Sequence, residues 1–100
     1  MGILSALFKT KSWNDDPFQQ RLAKLILDGA VAGYTLNIGD IFALMKEAGW
    51  SEKETRLRCV HAVSMIKPIA NADTYRRAKT IGENLHNAFS PNPRIPKVEF

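Results

Sequence analysis

The sequence predicts an all-α protein: a small bundle of four main helices with a short N-terminal helix and an extended, proline-rich C-terminal tail. Apolar residues recur at helical spacing along most of the 100 residues. Capping residues precede these periodic segments, and glycine or proline follows them. The predicted main helices are 17–32, 38–48, 52–67 and 74–89, the short helix lies within 1–13, and the tail comprises 90–100.

Composition predicts one globular domain over residues 1–100. Hydrophobic residues make up 45% and charged residues 24%, which is ordinary for a folded domain and too apolar for intrinsic disorder. No apolar run approaches the roughly 18 residues of a membrane-spanning helix, and the first residues lack the basic region of a signal peptide. Cys59 is the single cysteine, so no internal disulfide forms. We therefore expect a cytoplasmic protein.

The balance of charge permits an anionic partner without requiring one. The net charge is +4 and the isoelectric point is about 9.5. An excess of this size suits nucleic acid or an acidic protein surface, and it also serves solubility alone. Charge by itself therefore does not select a function.

Two interpretations of segment 1–13 are open. Its apolar residues fall at helical spacing and are followed by lysines, as in a membrane-surface element. Two helical turns bury too little area for stable membrane anchoring, so the other interpretation is a short helix that packs on the core or frays. The apolar residues are Ile3, Leu4, Leu7 and Phe8.

Capping residues bound the first two main helices. Asp16 is placed to cap the first, and Gly33 follows its end. Asn37 is placed to cap the second, and Gly49 ends it. The predicted buried stripe of the second main helix is Ile38, Ile41, Phe42, Met45 and Ala48.

Local sequence signals also set the boundaries of the third and fourth main helices. Ser51 and Glu54 form an S-x-x-E capping box, and Pro68 stops the third helix because the residue before a proline disfavours helical geometry. Either Asn71 or Asp73 caps the fourth helix. The predicted buried stripe of the fourth helix is Tyr75, Ala78, Ile81, Gly82, Leu85, Ala88 and Phe89.

The tail, SPNPRIPKVEF, holds three of the five prolines and is predicted to be extended or polyproline-like. Its residues Ile95, Val98 and Phe100 are too apolar for a solvated tag. We expect them to strap the tail onto the domain or onto a partner, and both alternatives are open.

The second and third main helices, joined at Gly49, have the order of a DNA-binding helix-turn-helix. In such a unit, the residues that lock the second helix onto the first are apolar. Here Thr55 and Arg58 occupy these positions, and Met45 stands where a small residue is expected. The pattern therefore favours a helical hairpin within a bundle over a DNA reader.

Charge pairing in the third main helix supports the same interpretation. Glu52 and Glu54 each lie four residues before an arginine, which is the favourable spacing for pairing within a helix. The start of this helix then has little uncompensated charge for phosphate groups. The candidate residues for the nucleic-acid alternative are Lys53, Arg56 and Arg58.

A second group of cations, Arg76, Arg77 and Lys79, occupies the first two turns of the fourth main helix. The helix dipole disfavours positive charge there, and no neighbouring residue compensates it. Residues that break a local rule in this way are candidates for function. They either pair with acids elsewhere in the fold or bind an anionic ligand or an acidic protein surface.

The sequence contains no pattern typical of catalysis or metal binding. Cys59 and His61 are two residues apart on one helix and so point to different sides, and His86 lies alone on another helix. Ser64 lies three residues after His61, but no acid is placed to orient the histidine. We therefore expect no enzyme, no metal and no cofactor.

The sequence thus predicts a non-catalytic protein-binding module, a small adaptor, regulator or inhibitor that occupies a partner's surface. Bacterial and phage-encoded inhibitors share this size and this lack of catalytic motifs. The expected partner is another protein with an acidic surface, and both a monomer and a homodimer are open. The alternative is a nucleic-acid-binding regulator that uses a degenerate helix-turn-helix at 37–67 and the basic residues of the fourth helix. The predicted partner-binding residues are Arg76, Arg77, Lys79, Ile95, Val98 and Phe100.

Overall fold

The computed structural model describes residues 13–33 and 36–89, and over these residues the chain forms four main helices and no strand. This confirms the predicted all-α bundle, with every helix boundary within two residues of its predicted position. The predicted N-terminal helix and the tail, including Ile95, Val98 and Phe100, lie outside the described residues. The helices are α1 (Pro17–Val31), α2 (Ile38–Ala48), α3 (Glu52–Ile66) and α4 (Ala72–Ala88).

Side-chain caps begin α1, α2 and α3 where the sequence predicts them. In each case a side-chain oxygen accepts a hydrogen bond from a first-turn amide at 2.9 to 3.1 Å. Such a cap stabilises a protein by about 1 kcal/mol, because it satisfies an amide that the helix itself leaves unpaired. The capping pairs are Asp16 with Phe18, Asn37 with Gly39, and Ser51 with Glu54.

The fourth helix begins two residues earlier than predicted. Asn71 Oδ1 accepts a hydrogen bond from the Thr74 amide at 2.8 Å, so Asn71 is the cap. Asp73, the other candidate, lies inside the first turn and pairs with Arg76. The geometry therefore decides between two caps that the sequence leaves as alternatives.

Gly49 turns the chain between α2 and α3. Its φ of 73° lies in the left-handed region, which residues with a side chain rarely adopt. The Trp50 amide then donates to the Met45 carbonyl oxygen at 3.0 Å and closes the C-terminal turn of α2. This turn directs Trp50 into the core, where it is buried.

The centre of the bundle is formed by α1, α3 and α4, which pack on one another, while α2 packs mainly on α1. The buried side chains are small or branched, so they fill the space between the helices closely. This arrangement makes α2 the peripheral helix. The main core residues are Leu22, Ile26, Ala30, Ile41, Leu44, Cys59, Ala62, Ile66, Ala78, Ile81 and Leu85.

The buried face of α2 differs from the predicted stripe. Ile41 and Leu44 are buried, whereas Ile38 is 43% exposed and Phe42 is 50% exposed. The prediction wrongly includes Ile38 and Phe42 and omits Leu44. Because α2 packs at one edge of the bundle, only a narrow face through Ile41 and Leu44 meets the core. An apolar strip therefore remains on the outside of α2.

Candidate partner-binding site

Arg58 is buried, and three polar side chains bind its guanidinium group. The residue is 6% exposed. Its Nη1 atom lies 3.1 Å from Asp16 Oδ2 and 3.2 Å from Gln19 Oε1. Its Nη2 atom lies 3.2 Å from Glu54 Oε1. Two carboxylates from different parts of the chain therefore neutralise one buried cation.

Two aromatic rings complete the surroundings of Arg58. The guanidinium carbon lies 4.5 Å from the centroid of the Trp13 ring and 4.4 Å from that of Trp50, within the range of a cation–π interaction. Gln19, which is fully buried, also donates its Nε2 to the Arg58 carbonyl oxygen at 2.9 Å. These groups replace the water that a buried guanidinium gives up. The Arg58 cluster consists of Trp13, Asp16, Gln19, Trp50, Glu54 and Arg58.

The Arg58 cluster corrects two expectations. The guanidinium of Arg58 is buried and already bound by groups of this chain. Of the predicted nucleic-acid-binding residues, Arg58 is therefore not accessible to a phosphate group. Polarity at Thr55 and Arg58 also does not prevent packing, since Thr55 is fully buried and its Oγ1 donates to the Ser51 carbonyl oxygen at 2.8 Å. The predicted pairing of Glu54 with Arg58 along the helix is confirmed.

The other two cations of that predicted set lie in different surroundings. Lys53 is exposed in the first turn of α3. Arg56 is half-buried and faces α4: burial, and after it the charge of Arg56, lowers the pKa of His86. The Nη1 atom of Arg56 is buried, with no hydrogen-bond partner among the residues that the structure describes. These cations therefore do not share one exposed basic face with Arg58.

The structure separates the cations predicted at the start of α4. Arg76 pairs with Asp73 on the same helix, and both side chains are exposed. Arg77 Nη1 donates to the Ala30 carbonyl oxygen at 3.4 Å, at the C-terminal end of α1, where the helix dipole is negative. Groups of this chain thus pair with Arg76 and Arg77, whereas Lys79 has a different environment.

Lys79, like the other four described lysines, forms no ion pair with a carboxylate of the described residues. The ammonium nitrogens of Lys79 and Lys67 lie 5.6 Å and 6.0 Å from the centroid of the Tyr75 ring. Lys24 is exposed on α1. Within residues 13–33 and 36–89, no carboxylate oxygen lies within 4.0 Å of these three nitrogens. None of the three therefore forms an ion pair within the described residues.

An apolar groove lies between α1 and the end of α3; Lys24 lines it, and Lys67 directly follows the lining residue Ile66. Its volume is about 220 Å³, and no carboxylate lines it. Ile69, at the end of the groove, is 72% exposed, and Lys67 lies two residues before it. Lys24 lines the opposite wall. We call this site the α1–α3 groove; its lining residues are Gln20, Ala23, Lys24, Leu27, Met65, Ile66 and Ile69.

Cys59, His61 and Ser64 all lie on α3, and burial or local hydrogen bonds define the environment of each. Burial raises the pKa of the Cys59 thiol to about 12, so the thiol is protonated at neutral pH. Ser64 Oγ donates to the His61 carbonyl oxygen at 2.6 Å, while the His61 ring nitrogen Nε2 lies 2.7 Å from Asn14 Oδ1. The described part of the chain also contains no group of three or more metal-ligating side chains.

The described helices define the class of the protein as a small all-α bundle. No known protein family, curated protein or solved structure matches the chain. None of the helices in the described ranges is long and apolar enough to cross a membrane.

Sequence reasoning missed Lys24, Lys67 and Ile69 as site residues. One usable signal is Ile69 itself, an apolar residue directly after the helix-stopping Pro68, in a turn where polar residues are usual. A second signal is Leu27, which lies off the main apolar stripe of α1. Both indicate apolar surface outside the core.

Proposed function

We propose that the protein is a non-catalytic protein-binding module whose α1–α3 groove takes an apolar partner segment with acidic residues at its edges. The observation that carries this proposal is Ile69, which is 72% exposed and continuous with an apolar groove that no carboxylate lines. Exposed apolar surface with a polar edge is typical of a protein interface. The groove supplies the apolar centre, and the lysines supply the edge.

Charge specifies the chemistry of the partner. Lys24, Lys67 and Lys79 have no carboxylate partner within the described residues. Carboxylates at the edges of a bound segment would pair with them, and such pairing favours the rate and selectivity of association more than affinity. A basic segment would meet like charge instead. An amphipathic segment with acidic ends therefore fits best.

Residues 1–12 are the competing occupant within this chain. They contain apolar residues at helical spacing, but their only charged side chains are Lys9 and Lys11. These lysines would lie against the lysines of the groove, which costs free energy. Charge therefore favours an external acidic segment over residues 1–12.

Nucleic-acid binding, the alternative from the sequence, has less support. Phosphate binding depends on several uncompensated cations along one surface. Arg58 is buried, and Arg56 faces α4 while Lys53 is exposed at the start of α3. Lys24 instead lines an apolar groove and Lys67 adjoins it in sequence, which suits a protein segment better than a phosphate backbone.

Two synthetic peptides with the same leucine-rich core test the proposal, one with glutamates at both ends and one with lysines. We expect the glutamate peptide to bind about tenfold more tightly, because exposed ion pairs contribute roughly 0.2–1 kcal/mol each. Its binding should shift the amide NMR signals of Leu27, Met65 and Ile69. Equal affinity for the two peptides, or shifts confined to other helices, would contradict the proposal.

Matched variants distinguish an effect of the groove on peptide binding from a general effect of charge or hydrophobicity. Lys67→Glu should weaken binding of the glutamate peptide, whereas Lys53→Glu, with the same charge change elsewhere, should not. Ile69→Asp should abolish binding, whereas Leu57→Asp should leave it intact, because Leu57 is 49% exposed but lies outside the groove. If both members of a pair have the same effect, the groove is not the binding site.

A further inference from the structure

A second apolar surface lies between the start of α2 and the second half of α4. It forms a cleft of about 170 Å³, comparable with the roughly 150 Å³ cavity that holds benzene in an engineered core. This cleft shares no lining residue with the α1–α3 groove. We call it the α2–α4 cleft; its lining residues are Leu36, Ile38, Ile81, Asn84 and Leu85.

The apolar surface continues from the α2–α4 cleft to the end of the described chain. Phe42 lies one turn beyond Ile38 on α2 and is 50% exposed. Its ring meets the ring of Phe89 edge-on, with centroids 5.3 Å apart and planes at 64°. Phe89 follows α4 directly and is the last described residue, so the described chain ends at one end of this surface.

We propose that residues 90–100 fold back along this surface and place Ile95 in the α2–α4 cleft. The chain has the necessary reach. From Phe89 to Ile81, eight residues of helix span about 12 Å at a rise of about 1.5 Å per residue. From Phe89 to Ile95, six residues span up to about 19 Å at about 3.1 Å per residue in a polyproline conformation. Ile95 therefore reaches the level of the cleft even after the chain reverses.

The residues around Ile95 suit docking of an extended segment. Pro93 and Pro96 flank it and restrict the free chain, so less conformational entropy is lost when the segment binds. The cleft has apolar walls for an aliphatic side chain, and the Asn84 side chain offers one donor group and one acceptor group for the backbone. The sequence leaves open whether the tail packs on the domain or on a partner. The proposed docking means that it packs on the domain.

Covalent connection favours this occupant over a second copy or a free peptide. A segment joined to the site by a few residues has an effective concentration on the order of millimolar. A second copy or another protein must compete with that concentration. The α2–α4 cleft is thereby covered within one chain, and the α1–α3 groove remains the surface for a partner.

A nitroxide on Lys97→Cys in the full chain tests the proposal by NMR line broadening. The only native thiol, Cys59, is fully buried, so the label attaches to the introduced thiol alone. We expect the amide signals of Ile38 and Asn84 to lose most of their intensity, while the Ile69 signal keeps its intensity. Unchanged signals at Ile38 and Asn84 would overturn the proposal.

Two controls assign the broadening to Ile95 and to the same chain. Ile95→Asp in the labelled protein should restore the Ile38 and Asn84 signals, whereas Ser90→Asp, the same side chain at a polar position, should not. Broadening that survives Ile95→Asp overturns docking by Ile95. Broadening that requires a nitroxide on a second, isotope-free copy means that the tail fills a neighbour's cleft and overturns docking within one chain. The peptide experiments on the α1–α3 groove use other residues, so either proposal can fail alone.

Discussion

Arg58 and Lys79 are both cations that the sequence marks as candidates for binding, and the fold treats them in opposite ways. Arg58 lies inside the bundle with two carboxylates, an amide and two indole rings around it. Lys79 lies near a single tyrosine ring and has no carboxylate within 4.0 Å in the described structure. The first charge is neutralised inside the fold, whereas the second forms no ion pair with a described carboxylate.

The difference arises from acids that are distant in sequence. Asp16 precedes Arg58 by 42 residues, and only the packing of α1 on α3 brings the two together. Lys79 has no acid of this kind, although Asp73 lies within two turns of it and pairs with Arg76 instead. A cation in a sequence therefore becomes a site candidate only after the fold shows which acids reach it.

The largest expected effect that tests this contrast is the loss of Arg58. Arg58→Ala leaves Asp16 and Glu54 without their cation, and breaking a buried pair typically costs about 3–5 kcal/mol. Because both carboxylates keep some contact with water, at 25% and 33% side-chain exposure, we expect a loss near about 3 kcal/mol in the free energy of unfolding. Chemical denaturation measures it.

Lys79→Ala and Asp16→Asn are the controls for Arg58→Ala. Lys79→Ala should change stability by no more than about 0.5 kcal/mol, as is usual at the surface. Asp16→Asn keeps the helix cap and removes the charge, so it should cost less than Arg58→Ala. Similar losses for Arg58→Ala and Lys79→Ala would show that the two cations do not differ as the structure indicates.

Arg77→Ala should have an intermediate effect and separates Arg77 from its neighbour Arg76. Arg77 donates to the Ala30 carbonyl at the C-terminal end of α1, where a cation contributes about 0.3–1 kcal/mol. Arg76 makes an exposed pair with Asp73, and such pairs often contribute nothing measurable. Thermal or chemical unfolding should therefore show a larger loss for Arg77→Ala than for Arg76→Ala. The reverse order would contradict the contact with α1.

The helices were predictable because their signals are local. Asp16, Asn37 and Ser51 each cap a helix through an amide two or three residues away, so residue type and spacing suffice. The face that α2 buries is not local in this sense. It depends on the position of α2 at the edge of the bundle, and the sequence of residues 38–48 does not determine that position. The sequence therefore predicts a buried Phe42, whereas the residue is half exposed.

The candidate site was less predictable than the fold. The sequence predicts no local compensation for Arg76, Arg77 and Lys79, which is wrong for Arg76 because it pairs with Asp73 three residues earlier. The sequence also does not show that Arg77 reaches the end of α1. Thr55 and Arg58 are identified in the sequence as polar residues at positions that are apolar in a helix-turn-helix. The sequence does not show that internal hydrogen bonds allow both to be buried. The α1–α3 groove joins residues 38 to 49 positions apart, so only the packed helices reveal it.

The smallest expected effect is a decrease in stability on mild acidification. Burial, and after it the charge of Arg58, lowers the pKa of His61, and burial and then Arg56 lower the pKa of His86. In the unfolded chain both rings regain an ordinary pKa of about 6.5, so they take up protons before the folded protein does as the pH falls. The free energy of unfolding should therefore be lower at about pH 5.5 than at about pH 7. His61→Gln and His86→Gln should each reduce this difference in denaturation measurements.

A free energy of unfolding that rises on acidification would contradict the prediction. It would show that the two rings gain, rather than lose, proton affinity on folding. The cations beside them would then be better neutralised than the structure indicates.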